Sequence, residues 1–389
     1  MLSRRKFRLL LVLAVTIATA VISARRIQPY LNSTALILDL TGNAPRVRAW
    51  LPVRSVAVTT RDVDVPARHG AIRARLYLPA APNGRTIAVF PGVHGGGVDE
   101  PRMSTLCRKL AAEGLTVLAA PLPELRIYVI KPRSTDDIED VAGWLAAQRD
   151  LAPSGRIGMV GVSFAGGLAL VAAGRPSLDG KLDLVTALGS QGDLPRAMKY
   201  LCTGVLPDGR IQPAHDYGAV VILLAGLTHF APPEQVEPLR HAVTTFLDAS
   251  SNDVTDPPRS AALFAEARAL GDALPEPSRT VMSWVNQRDV PTMGPQLLPY
   301  IEELGGAAAL SPERSPATRV PVFLLHGSHD NVIPYTETPQ LEAYLRAQGN
   351  TRVTSLLTPL ISHANVEAAP SVSEVWKLIR FWAALLDVA

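Results

Sequence analysis

A serine hydroxyl is a poor nucleophile at neutral pH. A chain that uses one must also supply a base to take its proton, an acid to orient that base, and N–H donors for the oxyanion that forms on the attacked carbonyl. Four stretches of this 389-residue chain have the residue types for those duties. Gly161-Val162-Ser163-Phe164-Ala165, followed by Gly166 and Gly167, leaves an apolar run and turns helical. That is the pattern of a strand-to-helix turn so tight that it pushes the serine hydroxyl out at the top of a sheet. Asp330 directly follows VFLLHGSH, and His363 lies in LISHANVE after the next strand-like run. PGVHGGG, from Pro91 to Gly97, follows an earlier buried run, and its consecutive glycines let backbone amides approach an oxygen closely. The expected chemistry is attack by Ser163, with His363 as base and Asp330 as orienting acid. The expected oxyanion donors are the amide of Phe164 and that of Gly95 or Gly96.

Each assignment has a plainer competitor. Ser163 could merely cap the helix of an ordinary βα turn, but three partner stretches in the required order argue against that. Asp193, at the end of the preceding strand-like run, competes with Asp330 for the role of acid. The phrase around Asp330 fits the order Ser, Asp, His better. His326 reads as structural, His94 as shaping the glycine loop, and His329 as too early in the chain to be the base. Ala165 stands where the turn normally has its second glycine, and its methyl fits if the helix packs slightly further from the strand.

The elements that must position these residues alternate regularly. SVAVTTRDVDV and AIRARLYLP read as two antiparallel strands around His69-Gly70, and TIAVF as a buried strand ending at Pro91. Helical spacing from Ser104 to Glu113, a stop at Gly114 and the strand LTVLAAP follow. STDDIEDVAGWLAAQ reads as a helix capped by Ser134 or Thr135. Then come the strand RIGMVGV, a helix from about Ser163 to Ala173 and the strand LDLVTALG. Such repetition predicts a mostly parallel sheet with helices on both faces. The rhythm breaks from Asp193 to Ala317, where YGAVVILLAGLTHF, EQVEPLRHAVTTFLDA and RSAALFAEARALG are helix-like and joined by prolines. This reads as an inserted helical cap over 193–317, between core parts at 53–192 and 318–389. The second core part comprises the strand RVPVFLLHG, a helix near Thr338 to Gln348, the strand RVTSLL and a last helix from Val372 to Leu386.

With HGGG at 94–97, GVSFAGG at 161–167, LLHGSHDNVIP at 324–334 and SHANV at 362–366, the chain resembles the α/β-hydrolase superfamily. Within it, the chain is similar to the serine esterases and dienelactone-hydrolase-like proteins over Val53 to Leu188 and Thr318 to Leu386. The resemblance implies an α/β-hydrolase fold with a sheet of about eight strands, no cofactor and hydrolysis through an acyl-enzyme. A carboxylic ester with an apolar acyl part is the expected substrate. A thioesterase or peptidase would use the same three residues, and a silent hydrolase fold binding an apolar ligand or partner at a membrane is the alternative of a different class.

Composition narrows the partners. The chain is 47% hydrophobic, ample for a core, and its formal charge of +3 comes from its start. Arg4, Arg5, Lys6, Arg8, Arg25 and Arg26 precede the first acid, Asp39, so the rest of the chain is net acidic and nucleic acid is not an expected partner. The uncharged run from Leu9 to Ala24, between arginine clusters, reads as a targeting segment over 1–26. Ala18-Thr19-Ala20 would suit cleavage, and an uncleaved run would anchor the chain in a membrane. Either way the body is expected to be exported, with the first arginines kept inside. Cys107 and Cys202 do not make a disulfide framework, and no spacing suits a metal.

Overall fold

The computed structural model describes residues 27–40, 45–53, 55–361 and 371–388. Eight strands form one sheet in the order β1-β2-β4-β3-β5-β6-β7-β8. They are β1 (Val58–Val65), β2 (Ile72–Pro79), β3 (Thr86–Phe90), β4 (Thr116–Ala119), β5 (Ile157–Val162), β6 (Leu182–Leu188), β7 (Val322–Gly327) and β8 (Val353–Thr358). β1 pairs with β2 antiparallel from Val58↔Pro79 to Val65↔Ile72, and β2 joins β4 antiparallel. All other neighbours are parallel.

The hydrophobic pattern explains this division. All residues of β3, β4 and β7 are buried, as a strand covered on both faces requires. β1 at the edge carries Arg61, Asp62 and Asp64 on an exposed strand, a composition that discourages pairing with another chain. Successive residues of β3 enter opposite layers. Ala88 and Phe90 join Ile138, Leu145 and Leu168 on one side, while Ile87 and Val89 join Leu36, Leu110 and Trp382 on the other. Pro132–Ala147, Phe164–Ala173 and Glu337–Ala347 thus cover the first face. Pro101–Ala112, Val372–Val388 and the helix at 27–40 cover the second.

Two local expectations change. The helix expected to begin at Ser134 or Thr135 begins at Pro132, which needs no N–H at the first helical position. Thr135 instead donates its hydroxyl to the Ala309 carbonyl at 2.7 Å. The chain ahead of β1, where no element was expected, is helical at 27–40 and Pro45–Trp50. Tyr30 stacks on Trp376 with ring centroids 5.6 Å apart, and Ser33 donates to the Ile379 carbonyl, docking the first of these helices on the last one.

Between β6 and β7 the chain is helical: Leu194–Thr203, Asp216–Ala225, Pro233–Asn252, Pro257–Ala273, Ser278–Asn286, Val290–Leu297 and Ile301–Gly305. An isolated bridge between Val205 and Ile211 is the strand-like pairing found there among the described residues. The apolar character of Asp216–Ala225 is spent on packing, since Gly218 to Leu224 are all buried. Cys107 and Cys202 are buried and unbridged, and burial pushes both thiols up to about 12. No described helix is long and apolar enough to cross a membrane, and the targeting segment at 1–26 lies outside the described residues.

Candidate active site

The parallel strands end in register, and the loops leaving those ends hold the site. Val162, Leu188 and Leu325 lie in one row across β5, β6 and β7. The ladder then continues one step, with the Ser163 amide donating to the Leu188 carbonyl at 2.8 Å and the Gly189 amide to that of Leu325 at 2.8 Å. Ser163 is therefore the first residue past β5. It has φ +55° and ψ −135°, a left-handed conformation that costs a non-glycine residue of order 1–3 kcal/mol and clusters at functional turns. The helix Phe164–Ala173 starts immediately after it and is buried along its whole length.

What allows so tight a turn is backbone against backbone. A Cβ on Gly161 would sit 2.5 Å from both the Ala165 carbonyl oxygen and the Gly166 Cα, and one on Gly166 would sit 2.9 Å from the Gly161 carbonyl oxygen and 1.9 Å from the Ser190 side-chain Oγ. The turn thus needs its glycines at 161 and 166. Ala165 is fully buried at a position where a methyl has room, so the helix need not stand off the strand. Ser190, past the end of β6, donates its hydroxyl to the Ser163 carbonyl at 2.8 Å and locks the turn from the neighbouring strand.

The loop after β3 reaches the serine through a different glycine from those expected. A Cβ on Gly92 would lie 2.8 Å from Ser163 Cβ, whereas one on Gly95 would face Tyr128 Oη and Asp248 Oδ1. The Gly96 amide donates to His94 Nδ1 at 3.0 Å, which withdraws it from any oxyanion. The chain turns away after Val93 because His94 folds back on it, leaving Val93 as the residue next to the contact. The amides of Val93, Gly95 and Phe164 have no acceptor among the described residues, and of these Val93 directly follows the Gly92 contact with Ser163. His94 does shape this loop, its Nε2 lying 3.2 Å from the Ser251 carbonyl oxygen. Burial holds its imidazole below the ordinary range, so it is a neutral ring accepting at Nδ1 and donating at Nε2. Tyr128 Oη lies 2.5 Å from Asp248 Oδ1, and Tyr217 Oη donates to the Val93 carbonyl at 2.7 Å. Sequence reasoning missed Val93, Tyr128 and Tyr217. Counting residues from the strand end could have raised Val93, but nothing local marks two tyrosines so distant in the chain.

Asp330 lies just past β7, two strands from Ser163, and is 1% exposed. Its Oδ1 accepts the amides of Val332 at 2.8 Å and Ile333 at 3.0 Å, which fixes the carboxylate plane. His326 is structural: buried, with Nδ1 2.8 Å from Thr338 Oγ1 and Nε2 3.0 Å from the Ile333 carbonyl oxygen and 3.4 Å from Asp330 Oδ2. His329 points outward. Asp193, the rival acid, is committed elsewhere. Its Oδ1 caps the helix at Arg196 N, and its Oδ2 accepts from Arg314 Nε at 2.5 Å. His363 falls at 362–370, outside the described residues, on the chain that leaves β8 beside β7.

A model of the X-Pro dipeptidyl-peptidase (S15) family matches residues 124–363, well over half of the chain. A comparison with curated proteins returned no match. Among solved structures, a hyperthermophilic esterase from the archaeon Pyrobaculum calidifontis is 17% identical, covers 94% of each chain and superposes with a TM-score of 0.45. A thermophilic carboxylesterase cloned from a metagenomic library is 17% identical over 94% of this chain and 95% of its own, with a TM-score of 0.46. Candida antarctica lipase A in its closed state is 13% identical over 85% of this chain and 78% of its own, at 0.45.

Proposed function

The chain belongs to the X-Pro dipeptidyl-peptidase (S15) family, and from that premise we propose that this α/β-hydrolase cleaves carboxylic esters through an acyl-enzyme intermediate. The observation that carries the proposal is Ser163 held at positive φ on the strand-to-helix turn, with Gly92 pressed against it and Asp330 two strands away. Ser163 Oγ attacks the acyl carbonyl while His363 takes its proton, and Asp330 holds the imidazole in the tautomer that can do so. The carbonyl oxygen becomes an oxyanion received by the amides of Phe164 and Val93, a donor pair at a helix start and the preceding βα loop. Collapse expels the alcohol with the proton returned by His363. Water then repeats the cycle and releases the acid.

The family description raises a second reading, release of dipeptides from a peptide. An enzyme that does so must hold a free N-terminal ammonium, which calls for a carboxylate facing the site. Among the described residues, five acids near the loop and the insertion have partners: Asp193 with Arg314, Glu313 and Glu337 with Arg196, Asp216 with Arg288, and Asp248 with Tyr128. That leaves Glu124, with a buried unpartnered carboxylate oxygen in the helix beside the glycine loop, as the acid a peptide ammonium would have to use. The ester needs no such acid, which favours it. The test is a panel of chromogenic esters from acetyl to long acyl run beside X-Pro p-nitroanilides, with fluorophosphonate labelling of wild type and Ser163→Ala. Wild type should label and prefer the esters, and Ser163→Ala should do neither. Turnover by Ser163→Ala would remove the serine mechanism, and faster cleavage of the anilides would replace the ester by the peptide. Folded wild type that does not label would favour the binding-protein reading.

The body is proposed to be exported and held at the membrane surface by residues 1–26 when these are not cleaved. Supporting this, exposed Ile27, Tyr30, Val372 and Trp376 lie where the helix following that segment docks, and amphipathic aromatic rings favour the lipid interface. Fractionation of the full chain against one starting at Gln28 checks it, and a full chain soluble in the cytoplasm would refute it.

A further inference from the structure

The loop from Gly92 to Gly97 contains four glycines, and a glycine-rich backbone cannot hold one conformation by itself. Oxyanion donors are effective only when their direction is set before charge develops. Something outside the loop must therefore hold Val93. On one side is the sheet, through the contact of Gly92 with Ser163 and the Val162 carbonyl. On the other is the helical insertion: Tyr217, in the first turn of Asp216–Ala225, donates its hydroxyl to the carbonyl of Val93 itself. Tyr217 is in turn held edge-on by Tyr128, with ring centroids 6.2 Å apart, and Tyr128 is bound to Asp248 and Ser251 on the helix Pro233–Asn252.

We propose that Tyr217 is a positioning residue for oxyanion stabilisation, so that the insertion fixes the Val93 donor. The inference rests on the reading of Ser163 as nucleophile and Val93 as donor. Burial keeps the Tyr217 phenol well above its usual range, and it remains a donor throughout the working pH of such an enzyme. It changes what the insertion is for. If the cap only shaped the pocket, its loss would alter acyl preference and spare the smallest esters. With Tyr217 on the donor loop, the smallest ester suffers as well.

Tyr217→Phe removes one hydroxyl and leaves the ring. Removing an oxyanion donor outright costs ~10²–10³ in kcat, and releasing the anchor of a donor still present is expected to cost ~10-fold. That loss should be in kcat, equal for acetyl and long-acyl esters, with KM within about twofold, since uniform binding is untouched. Affinity for a trifluoromethyl ketone, whose adduct with Ser163 carries the oxyanion, should fall by the same factor as kcat/KM. Turnover is counted per active site by fluorophosphonate titration, with thermal melts run alongside, so loss of folded protein cannot imitate the effect. Unchanged kcat and ketone affinity would overturn the proposal. So would a loss that sits in KM and varies with acyl length, which is what a pocket-lining tyrosine gives. Wild type that neither labels nor turns over would instead break the reading of Ser163 beneath it.

Discussion

At the ends of β5 and β6, position is enforced by backbone touching backbone. Gly161 lies against the backbone of Ala165 and Gly166, Gly166 against the Gly161 carbonyl, and Ser163 hangs from the Leu188 carbonyl. The helical insertion reaches the same site by single side-chain hydrogen bonds, Tyr217 to Val93, Tyr128 to Asp248 and His94 to Ser251. The first kind of contact has no tolerance, because an added methyl has nowhere to go. The second is graded, since one hydrogen bond contributes about 0.5–1.5 kcal/mol and its loss leaves the chain folded. Variants on the sheet side should therefore be all-or-none, and variants on the insertion side should scale.

The steepest test is Asp330→Asn. The two amides on Oδ1 can still be accepted, so the fold should survive, while the amide group favours the wrong imidazole tautomer and turnover of an activated ester falls ~10⁴-fold. A mild loss would mean that His363 is oriented by another group. Next, Gly161→Ala should destabilise by about 4 kcal/mol, read as a collapse of the thermal midpoint or of soluble yield, because the obstructing atoms are main chain. A stable variant would show that the turn is softer than its contacts indicate. Gly92→Ala is intermediate: its methyl meets Ser163 Cβ and the Val162 carbonyl oxygen, neither of them the free end of a side chain. Ser163 itself must therefore be displaced, and kcat should fall ~10²-fold in the protein that still folds.

On the insertion side, Asp193→Asn removes the charge partner of Arg314 while its amide oxygen can still cap the helix at Arg196 N. It should cost at most about 1 kcal/mol in denaturant titration and leave kcat unchanged. A crippled enzyme with normal stability would return Asp193 to the role of acid. The smallest effect is a pH slope. Buried His94 is neutral in the native state, with its pKa below the ordinary value of about 6.5 in the unfolded chain. The unfolded state then binds the extra proton first, so stability should be complete above that value and fall as the pH drops beneath it. His94→Gln, which does not titrate, should flatten the slope seen in melts between neutral pH and about pH 5.

Much of the fold was legible because its signals are local. Apolar runs such as TIAVF and RIGMVGV, buried on both faces, announce a covered parallel sheet, and loss of that rhythm after Asp193 announces the insertion. Ser163 and Asp330 were legible for a related reason: each stands one to three residues past a recognisable strand end, and strand ends of a parallel sheet converge. The helix at 27–40 was not legible, because its apolar face is defined only by the last helix and Pro101–Ala112, far away in sequence. Which residue of the glycine loop lies nearest Ser163 was not legible either. Glycine content marks a loop that can approach an oxygen, but which residue does so depends on where the chain turns.

The order of elements, the strand ends that carry Ser163 and Asp330, and the helical character of the insertion were determined by the sequence itself, through periodicity and turn chemistry within about a dozen residues. Tertiary structure alone decided that glycine is required at 161 and 166 while 165 takes a methyl, and that Asp193 belongs to Arg314. It alone gave Gly96 to His94 and brought a tyrosine from 124 residues away to the carbonyl of Val93. The physical reason is that these are matters of which surfaces meet, and contacts between segments far apart in the chain leave no periodic trace in either segment.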